Sequence, residues 1–122
     1  MAEIVPICCT QKSMFKGDHR TFLLTVKDQN GVVVDITGAT IIFSLKADPT
    51  NATALVEKIS TDINEIEITN PTQGEAEIYL IPADTSDLEP GIYFYDVELT
   101  TTSGKVYTLV KGELNLLQDV TN

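Results

Sequence analysis

Apolar and polar residues alternate with a period of two through most of this sequence, and this alternation restricts its fold more than any other feature. Successive side chains of a β-strand point to opposite faces of a sheet, so the alternation predicts strands with one buried and one solvent-facing side. Such strands are typical of antiparallel sheets with a single covered face. The apolar sides of the four clearest runs are Phe22, Leu24 and Val26; Ile41, Phe43 and Leu45; Ala76, Ile78 and Leu80; and Tyr93, Tyr95, Val97 and Leu99. The sequence therefore predicts an all-β chain.

Turn-forming sequences separate these runs at regular intervals. Asn30 and Gly31 tolerate the positive φ of a tight turn, and residues 70–74 and 101–104 have a similar composition. Strands that recur about every ten residues between such turns predict a sandwich or a barrel. Gly112 lies within the last run and predicts a bulge or a break there. With 122 residues, the chain has the length of one domain and can bury a core without metals or disulfides.

A local motif in the second half narrows the class of sandwich. Tyr93 follows a Pro-Gly pair at the start of the second-to-last predicted strand, where a tyrosine corner occurs in immunoglobulin-type sandwiches. The alternative is that Tyr93 is only an amphipathic strand residue. The predicted corner comprises Leu88, Pro90, Gly91 and Tyr93. We predict an immunoglobulin-like (Ig-like) antiparallel β-sandwich of about seven to nine strands, in which residues 1–16 form an N-terminal strand or arm and residues 17–122 form the sandwich domain.

Ten short segments, distributed over most of the chain, together resemble a known protein family. They are Gly17-Asp18, residues 21–28, residues 34–43, Gly74-Glu75, Ala83-Asp84-Thr85, Leu88, residues 90–97 with the pattern Pro-Gly-x-Tyr-x-Tyr-Asp-Val, Gly104-Lys105, Gly112 and residues 118–121. Together they resemble the N-terminal Ig-like domain of phage baseplate upper proteins, over about residues 17–121. This resemblance implies an adaptor that anchors a longer protein to the tail baseplate. Because the chain ends where the family's linker would begin, we expect a stand-alone version that docks or decorates.

The net charge is −10, and the excess of acids lies in one part of the sequence. Residues 57–98 contain eleven Asp and Glu residues and a single base, Lys58, whereas acids and bases balance in residues 1–56 and 99–122. Nucleic acids and anionic membranes bind clustered Lys and Arg, so neither is an expected partner. The acidic segment is either a solvated, solubilising surface or a contact surface for a basic neighbour. Its outward strand positions define a candidate acidic contact face, which consists of Glu75, Glu77, Asp96 and Glu98.

The first ten residues combine an apolar segment with two adjacent cysteines. No basic region precedes this segment and Pro6 interrupts it, which is unlike a secretory signal. We therefore expect synthesis in the cytoplasm of the bacterial host, with both cysteines as free thiols. The segment either pairs with the edge of a neighbouring protein or forms the first strand of the chain's own core. Its candidate interface residues are Ile4, Val5, Ile7, Cys8 and Cys9.

Residues capable of catalysis or metal binding are present but form no recognisable motif. His19 is the sole histidine, and no nucleophile signature surrounds it or the two cysteines. Asp84, Asp87 and Glu89 are candidate calcium ligands without the spacing of a known calcium loop. Phosphate-binding glycine loops and HExxH or CxxC motifs do not occur in the sequence. We predict a protein that is not an enzyme and that uses no metal or cofactor.

These observations predict a structural, non-catalytic bacteriophage virion protein. It would dock in the tail, baseplate or neck, or decorate the capsid, in multiple copies of a symmetric assembly with other virion structural proteins as partners. The alternative is a carbohydrate-binding module that aids host adhesion, with Tyr79, Phe94 and Tyr107 as its exposed aromatic residues. Tyr93 and Tyr95 are expected to face inward. A third hypothesis is a hydrolase of the host envelope, which would depend on the histidine and a cysteine named above.

Overall fold

The computed structural model describes residues 13–48, 50 and 53–118, together with the backbone of residues 4–8. Nine β-strands make up most of this part of the chain, and two short helical turns interrupt them. The strands are β1 (Ile4–Cys8), β2 (Ser13–Phe15), β3 (Arg20–Asp28), β4 (Thr40–Lys46), β5 (Val56–Ile59), β6 (Ile66–Asn70), β7 (Glu75–Leu80), β8 (Gly91–Thr100) and β9 (Val106–Leu117). The turns are a 3₁₀ helix at Pro71–Gln73 and the helix α1 at Pro82–Thr85.

The strands form two sheets that pack face to face. The four-stranded sheet has the order β1-β3-β7-β6, and the five-stranded sheet has the order β2-β9-β8-β4-β5. All strand pairs are antiparallel except the pair of β2 with β9, which is parallel. The predicted all-β, Ig-like sandwich is therefore confirmed, and the period-two runs of the sequence coincide with β3, β4, β7 and β8.

The N-terminal segment belongs to the chain's own sheets. The backbone of β1 pairs with β3, in a register that runs from Ile4 opposite Asp28 to Cys8 opposite Leu24. A few residues later, β2 pairs with the end of β9 in the other sheet. Of the two alternatives for this segment, the structure contains the strand of the chain's own sheet. The role of Ile4, Val5, Ile7, Cys8 and Cys9 as interface residues stays a prediction, because the side chains of these residues lie outside the described part of the chain. Since β1 is an edge strand, its second backbone edge faces away from the sheet.

Every second residue of the strands points inward, and these residues form the hydrophobic core between the two sheets. Phe43 of β4 lies at its centre, with its ring centroid 6.2 Å from that of Phe22 and 5.9 Å from that of Tyr95. Burying an aliphatic or aromatic side chain of this size stabilises a fold by about 1.5–3 kcal/mol relative to its exposure. The other buried apolar residues of β3, β4, β7, β8 and β9 are Leu24, Val26, Ile41, Leu45, Ala76, Ile78, Leu80, Val97, Leu99, Leu109, Leu114 and Leu116.

A β-bulge interrupts the ladder between β8 and β9. Val97 pairs with Val110, but the next residue of β8 pairs with Thr108, so Leu109 is an extra residue in β9. The break predicted at Gly112 thus lies three positions earlier along the strand. Gly112 has a different role, because it lies opposite Tyr95 and a Cβ atom added to it would be 2.7 Å from the Tyr95 Oη. A side chain at position 112 would therefore collide with the tyrosine ring.

The helical turn α1 connects the two sheets and is held by three polar contacts. The Asp84 carboxylate accepts a hydrogen bond from the backbone N–H of Ile81 at 2.8 Å, and its Oδ2 lies 2.8 Å from the Nζ of Lys58 on β5. The buried hydroxyl of Thr85 accepts a hydrogen bond from the backbone N–H of Gly17 at 2.8 Å. These contacts join α1 to β5 and to the segment after β2. Within the described residues, no helix has the length and apolar character that a membrane span requires.

Candidate interaction surfaces

The predicted tyrosine corner stands at the entry to β8. The hydroxyl of Tyr93 donates a hydrogen bond to the backbone carbonyl of Glu89 at 2.6 Å, four residues upstream. Gly91 has a φ of 152° in the connecting segment, and Leu88 packs against the core. This contact of a strand-entry tyrosine with the upstream backbone is the one that defines a tyrosine corner in Ig-like domains. The corner fixes the path of the chain from α1 into the five-stranded sheet.

The four acidic residues predicted to form one contact face lie on opposite sides of the sandwich. Glu75 and Glu77 belong to β7 in the four-stranded sheet, whereas Asp96 and Glu98 belong to β8 in the five-stranded sheet. All four alternate with buried residues and therefore point outward. Because two stacked sheets have outer surfaces that point in opposite directions, no single partner surface can cover all four. The prediction of one acidic face is corrected to two separate faces.

We call the outer surface of the four-stranded sheet at Leu23, Glu67, Glu75, Glu77 and Tyr79 the acidic face. In its centre, Glu77 of β7 lies directly opposite Glu67 of β6 on one side and Leu23 of β3 on the other. The Leu23 side chain is 66 % exposed. Directly opposite residues in a sheet have Cβ atoms about 5 Å apart, and like charges at such positions repel. The acidic face thus combines an exposed leucine with two carboxylates that destabilise each other.

The hydroxyl group of Tyr79 contacts the carboxylates of both Glu67 and Glu77. The hydroxyl oxygen lies 2.9 Å from Oε1 of Glu77 and 3.0 Å from Oε1 of Glu67. A phenol has a single proton to donate, so it can satisfy only one of these carboxylates at a time. The hydrogen bond to Glu77 is the largest cause that raises the pKa of Tyr79 above its ordinary value of 10.0, followed by partial burial and the hydrogen bond to Glu67.

Glu67 is a member of this face that the sequence analysis missed. Its strand, β6, was recognisable from the alternation in residues 66–68, but Glu67 resembles any other outward carboxylate there. Its importance comes from pairing with β7, which places it beside Glu77 and Tyr79. No signal within the sequence of β6 indicates that neighbour.

We call the outer surface of the five-stranded sheet around Phe94 the mixed face, because it carries charges of both signs. Two rows of directly opposite residues cross it, namely Lys46, Phe94 and Glu113 in one row and Ser44, Asp96 and Lys111 in the next. These six side chains surround a hollow of about 250 Å³ whose lining also includes Tyr95 and Gly112. Two lysines and two carboxylates balance each other in charge at this hollow.

The three aromatic residues predicted as a carbohydrate platform have different surroundings. Phe94 is half-buried and lines the hollow of the mixed face. Tyr79 lies on the acidic face, where its hydroxyl contacts Glu67 and Glu77. Tyr107 lies opposite Leu99 and packs against the core, so its prediction as an outward residue is wrong. The bulge at Leu109 is the reason, because it inverts the alternation of β9 on either side of that position.

The described residues that were considered for catalysis and metal binding form no common site. His19 lines a separate hollow beside Ser13, Phe15 and Asp18, and Cys9 lies outside the described residues. In the part of the chain that the structure describes, no three His, Cys, Asp or Glu residues are grouped as metal ligands would be. Of the candidate calcium ligands, Asp84 already contacts the ammonium group of Lys58.

The two packed sheets, antiparallel except for the pair of β2 with β9, and the tyrosine corner define an Ig-like β-sandwich domain. No protein-family model matches the sequence, and no curated protein matches it either. The fold is similar to that of the Lin-41 filamin domain, with a TM-score of 0.52, 10 % sequence identity and coverage of 98 % of this chain and 97 % of that one. It is also similar to the GspB Siglec domain, with a TM-score of 0.52, 15 % identity and coverage of 96 % of this chain and 58 % of that one.

A third similar chain belongs to a structure that describes the basis of T cell specificity and activation by the bacterial superantigen toxic shock syndrome toxin-1. It has a TM-score of 0.54 and 9 % identity, and the match covers 96 % of this chain and all of that one. At such low identity these likenesses show the fold and carry no function over to this chain. The resemblance to baseplate upper proteins remains a prediction from the sequence.

Proposed function

We propose that this chain is a non-catalytic docking domain of a bacteriophage particle. It would serve as an adaptor in the tail, baseplate or neck, or as a decoration of the capsid, by binding other structural proteins of the particle. The observation that carries the proposal is the acidic face, where an exposed leucine lies beside carboxylates that repel each other. The sequence resemblance to baseplate upper proteins supports the virion context.

The exposed leucine supports a protein partner. Leu23 is 66 % exposed at the centre of a sheet, where it lies opposite Glu77 and lines a shallow hollow with Thr25, Thr69 and Glu75. Protein interfaces commonly have apolar residues at the centre and polar residues around them, and a few residues near the centre contribute most of the binding free energy. Leu23 fits the role of that central residue.

The charges support a basic partner. Lys27, at the end of β3, is the sole base among the outward positions of β3, β6 and β7 in the described part of the chain. Lys58, the one base of the acidic segment, is buried and bound to Asp84. A lysine or arginine of a partner would relieve the repulsion between Glu67 and Glu77 and would speed association at low salt.

The proposal can be tested with phage particles from a host that carries the gene. Particles purified on a density gradient are analysed by quantitative mass spectrometry for copies of this chain per particle. In wild-type particles we expect a constant number of copies that fits the symmetry of the assembly. Leu23→Ser should reduce the copy number about tenfold, since truncation of a central interface residue costs more than 1 kcal/mol of binding free energy.

Ile92→Ser is the matched control. Ile92 is a similarly exposed aliphatic residue, at 57 %, but it lies on β8 in the other sheet. Circular dichroism of both purified variants establishes that each is folded. The proposal fails if the wild-type chain is absent from purified particles, and the assignment to the acidic face fails if Ile92→Ser, but not Leu23→Ser, reduces incorporation.

A further inference from the structure

We propose that the hollow of the mixed face is a binding site for the pyranose ring of an uncharged saccharide. This site lies on the opposite side of the sandwich from the acidic face, and the proposal is independent of virion docking. It assigns a ligand to the outer surface of β4, β8 and β9 around Phe94.

The aromatic ring provides the first contact. Phe94 lies in the middle of one row, with Lys46 on β4 and Glu113 on β9 directly opposite it. The face of an aromatic ring carries partial negative charge, which attracts the partially positive C–H groups of a sugar ring. Because Phe94 is half-buried in the wall of a hollow of about 250 Å³, a ligand stacked on it would also contact the neighbouring polar side chains.

The polar side chains around Phe94 supply donors and acceptors in equal measure. Lys46 and Lys111 donate hydrogen bonds, Asp96 and Glu113 accept them, and the hydroxyl of Ser44 can do both. Among the residues that the structure describes, the ion pair within 4.0 Å is that of Lys58 with Asp84. None of the four charged groups around Phe94 has an opposite charge within this distance in that part of the chain. Their hydrogen-bonding capacity is therefore available to a ligand.

The balance of charge selects the class of ligand. An apolar ligand would remove four charged groups from water without replacing their hydrogen bonds, which is costly. An anionic ligand would bind beside two carboxylates of a chain with a net charge of −10. An uncharged ligand with many hydroxyl groups can both donate to the carboxylates and accept from the lysines. A saccharide meets this requirement and also offers the C–H face that Phe94 needs.

The backbone under the hollow is paired with neighbouring strands on both sides. β8 pairs with β9 over Gly91–Thr100 and with β4 from Phe94 to Thr100, and β4 is paired in turn with β5. On the inner side, the ring of Tyr95 lies against Gly112 and stacks on Phe43. A site on such central strands is held in place before the ligand arrives, so little conformational entropy is lost on binding.

Saturation-transfer NMR on the full chain tests the proposal with methyl glycosides of glucose, galactose, mannose and N-acetylglucosamine as probes. We expect transfer to the C–H protons of at least one ring, with a dissociation constant of about 1 mM, as is usual for one small ligand in a shallow site. Backbone amide shifts should change at Ser44, Phe94 and Asp96. Phe94→Ala should weaken binding at least about tenfold and Asp96→Asn by a few fold.

Phe15→Ala is the matched control, because Phe15 is an exposed aromatic residue, at 46 %, on β2 and outside the hollow. It should bind the probe as the wild type does, and thermal melts should show all variants folded. No saturation transfer to any of the four probes would overturn the proposal. Shift changes located elsewhere, or equal loss in Phe15→Ala and Phe94→Ala, would overturn it as well. Incorporation into particles is measured separately, so failure here leaves the docking proposal intact.

Discussion

The two outer faces of the sandwich are built from strands with the same alternation, yet they differ in electrostatics. Glu77 on β7 and Asp96 on β8 are both acidic residues between two inward-facing neighbours. The residue opposite Glu77 on β6 is Glu67, and the residue opposite Asp96 on β9 is Lys111. The first pair repels and the second attracts. The character of a sheet surface therefore depends on which strands become neighbours, even when each strand taken alone looks the same.

This difference assigns the two faces to different kinds of ligand. The acidic face has more carboxylates than Lys27, the single outward lysine of its sheet among the described residues, can balance, which favours a basic protein partner. The mixed face is balanced in charge and surrounds an aromatic ring, which favours a small uncharged ligand. Lys58 contributes to neither face, because it is buried and binds Asp84.

The largest effect on the unfolding free energy is expected from Lys58→Met. This substitution tests whether the one base of the acidic segment lies in the interior and not on either face. The substitution leaves Asp84, whose side chain is 16 % exposed, without its ammonium partner. Removal of one member of a buried ion pair costs about 3 kcal/mol of unfolding free energy. Urea unfolding measures the loss. Lys105→Met, which removes an exposed lysine, should change the free energy by less than about 0.5 kcal/mol. Equal effects of the two substitutions would contradict the assignment of Lys58 to the interior.

Removing one carboxylate from each face should change the unfolding free energy by a smaller amount and in opposite directions, which compares the two faces directly. Glu67→Gln removes a repulsive pair and should raise the unfolding free energy by about 0.5 kcal/mol. Asp96→Asn removes an attractive neighbour of Lys111 and should lower it by a similar or smaller amount, about 0.3 kcal/mol. Both changes should shrink in high salt, because exposed charges are screened. If both substitutions shifted the stability in the same direction, the contrast between the faces would be wrong.

The smallest effect on stability concerns the ionisation of two tyrosines. Hydrogen bonds from the acidic face raise the pKa of Tyr79 above 10.0, with Glu77 as the largest cause, whereas burial alone raises the pKa of Tyr95. Glu77→Gln should therefore bring the pKa of Tyr79 toward 10.0 and leave that of Tyr95 unchanged. Ultraviolet titration of phenolate absorbance measures both values, and Tyr79→Phe identifies the signal.

The sign of the associated stability change follows from these shifts. A tyrosine whose pKa is higher in the folded state than in the unfolded state stabilises the fold below the unfolded pKa of about 10. That contribution disappears as the pH rises through the folded pKa. Stability should thus fall above about pH 10 in the wild type and fall less in Glu77→Gln. An identical alkaline loss in both proteins would show that the hydrogen bond to Glu77 does not persist in solution.

Most of the fold was predictable from the sequence. The alternation located β3, β4, β7 and β8, and the Pro-Gly-x-Tyr pattern located the corner at Tyr93. These features depend on residues within one strand or one turn. Predictions that depended on a second strand were less successful. The alternation predicts one face for the four acidic residues because it does not distinguish the two sheets to which their strands belong. It predicts an outward Tyr107 because the bulge at Leu109 is not visible in the sequence.

The sequence by itself determined the strands β3, β4, β7 and β8, the turns that separate the main runs, and the side of these four strands that faces the core. It could do so because the period of two and the turn preferences of Gly, Pro and Asn are properties of neighbouring residues. Only the tertiary structure decided that Glu67 faces Glu77, that Lys111 faces Asp96 and that Gly112 makes room for Tyr95. Strand order and register arise from packing between segments far apart in the chain, and the same outward residue can acquire a repulsive, an attractive or a neutral neighbour.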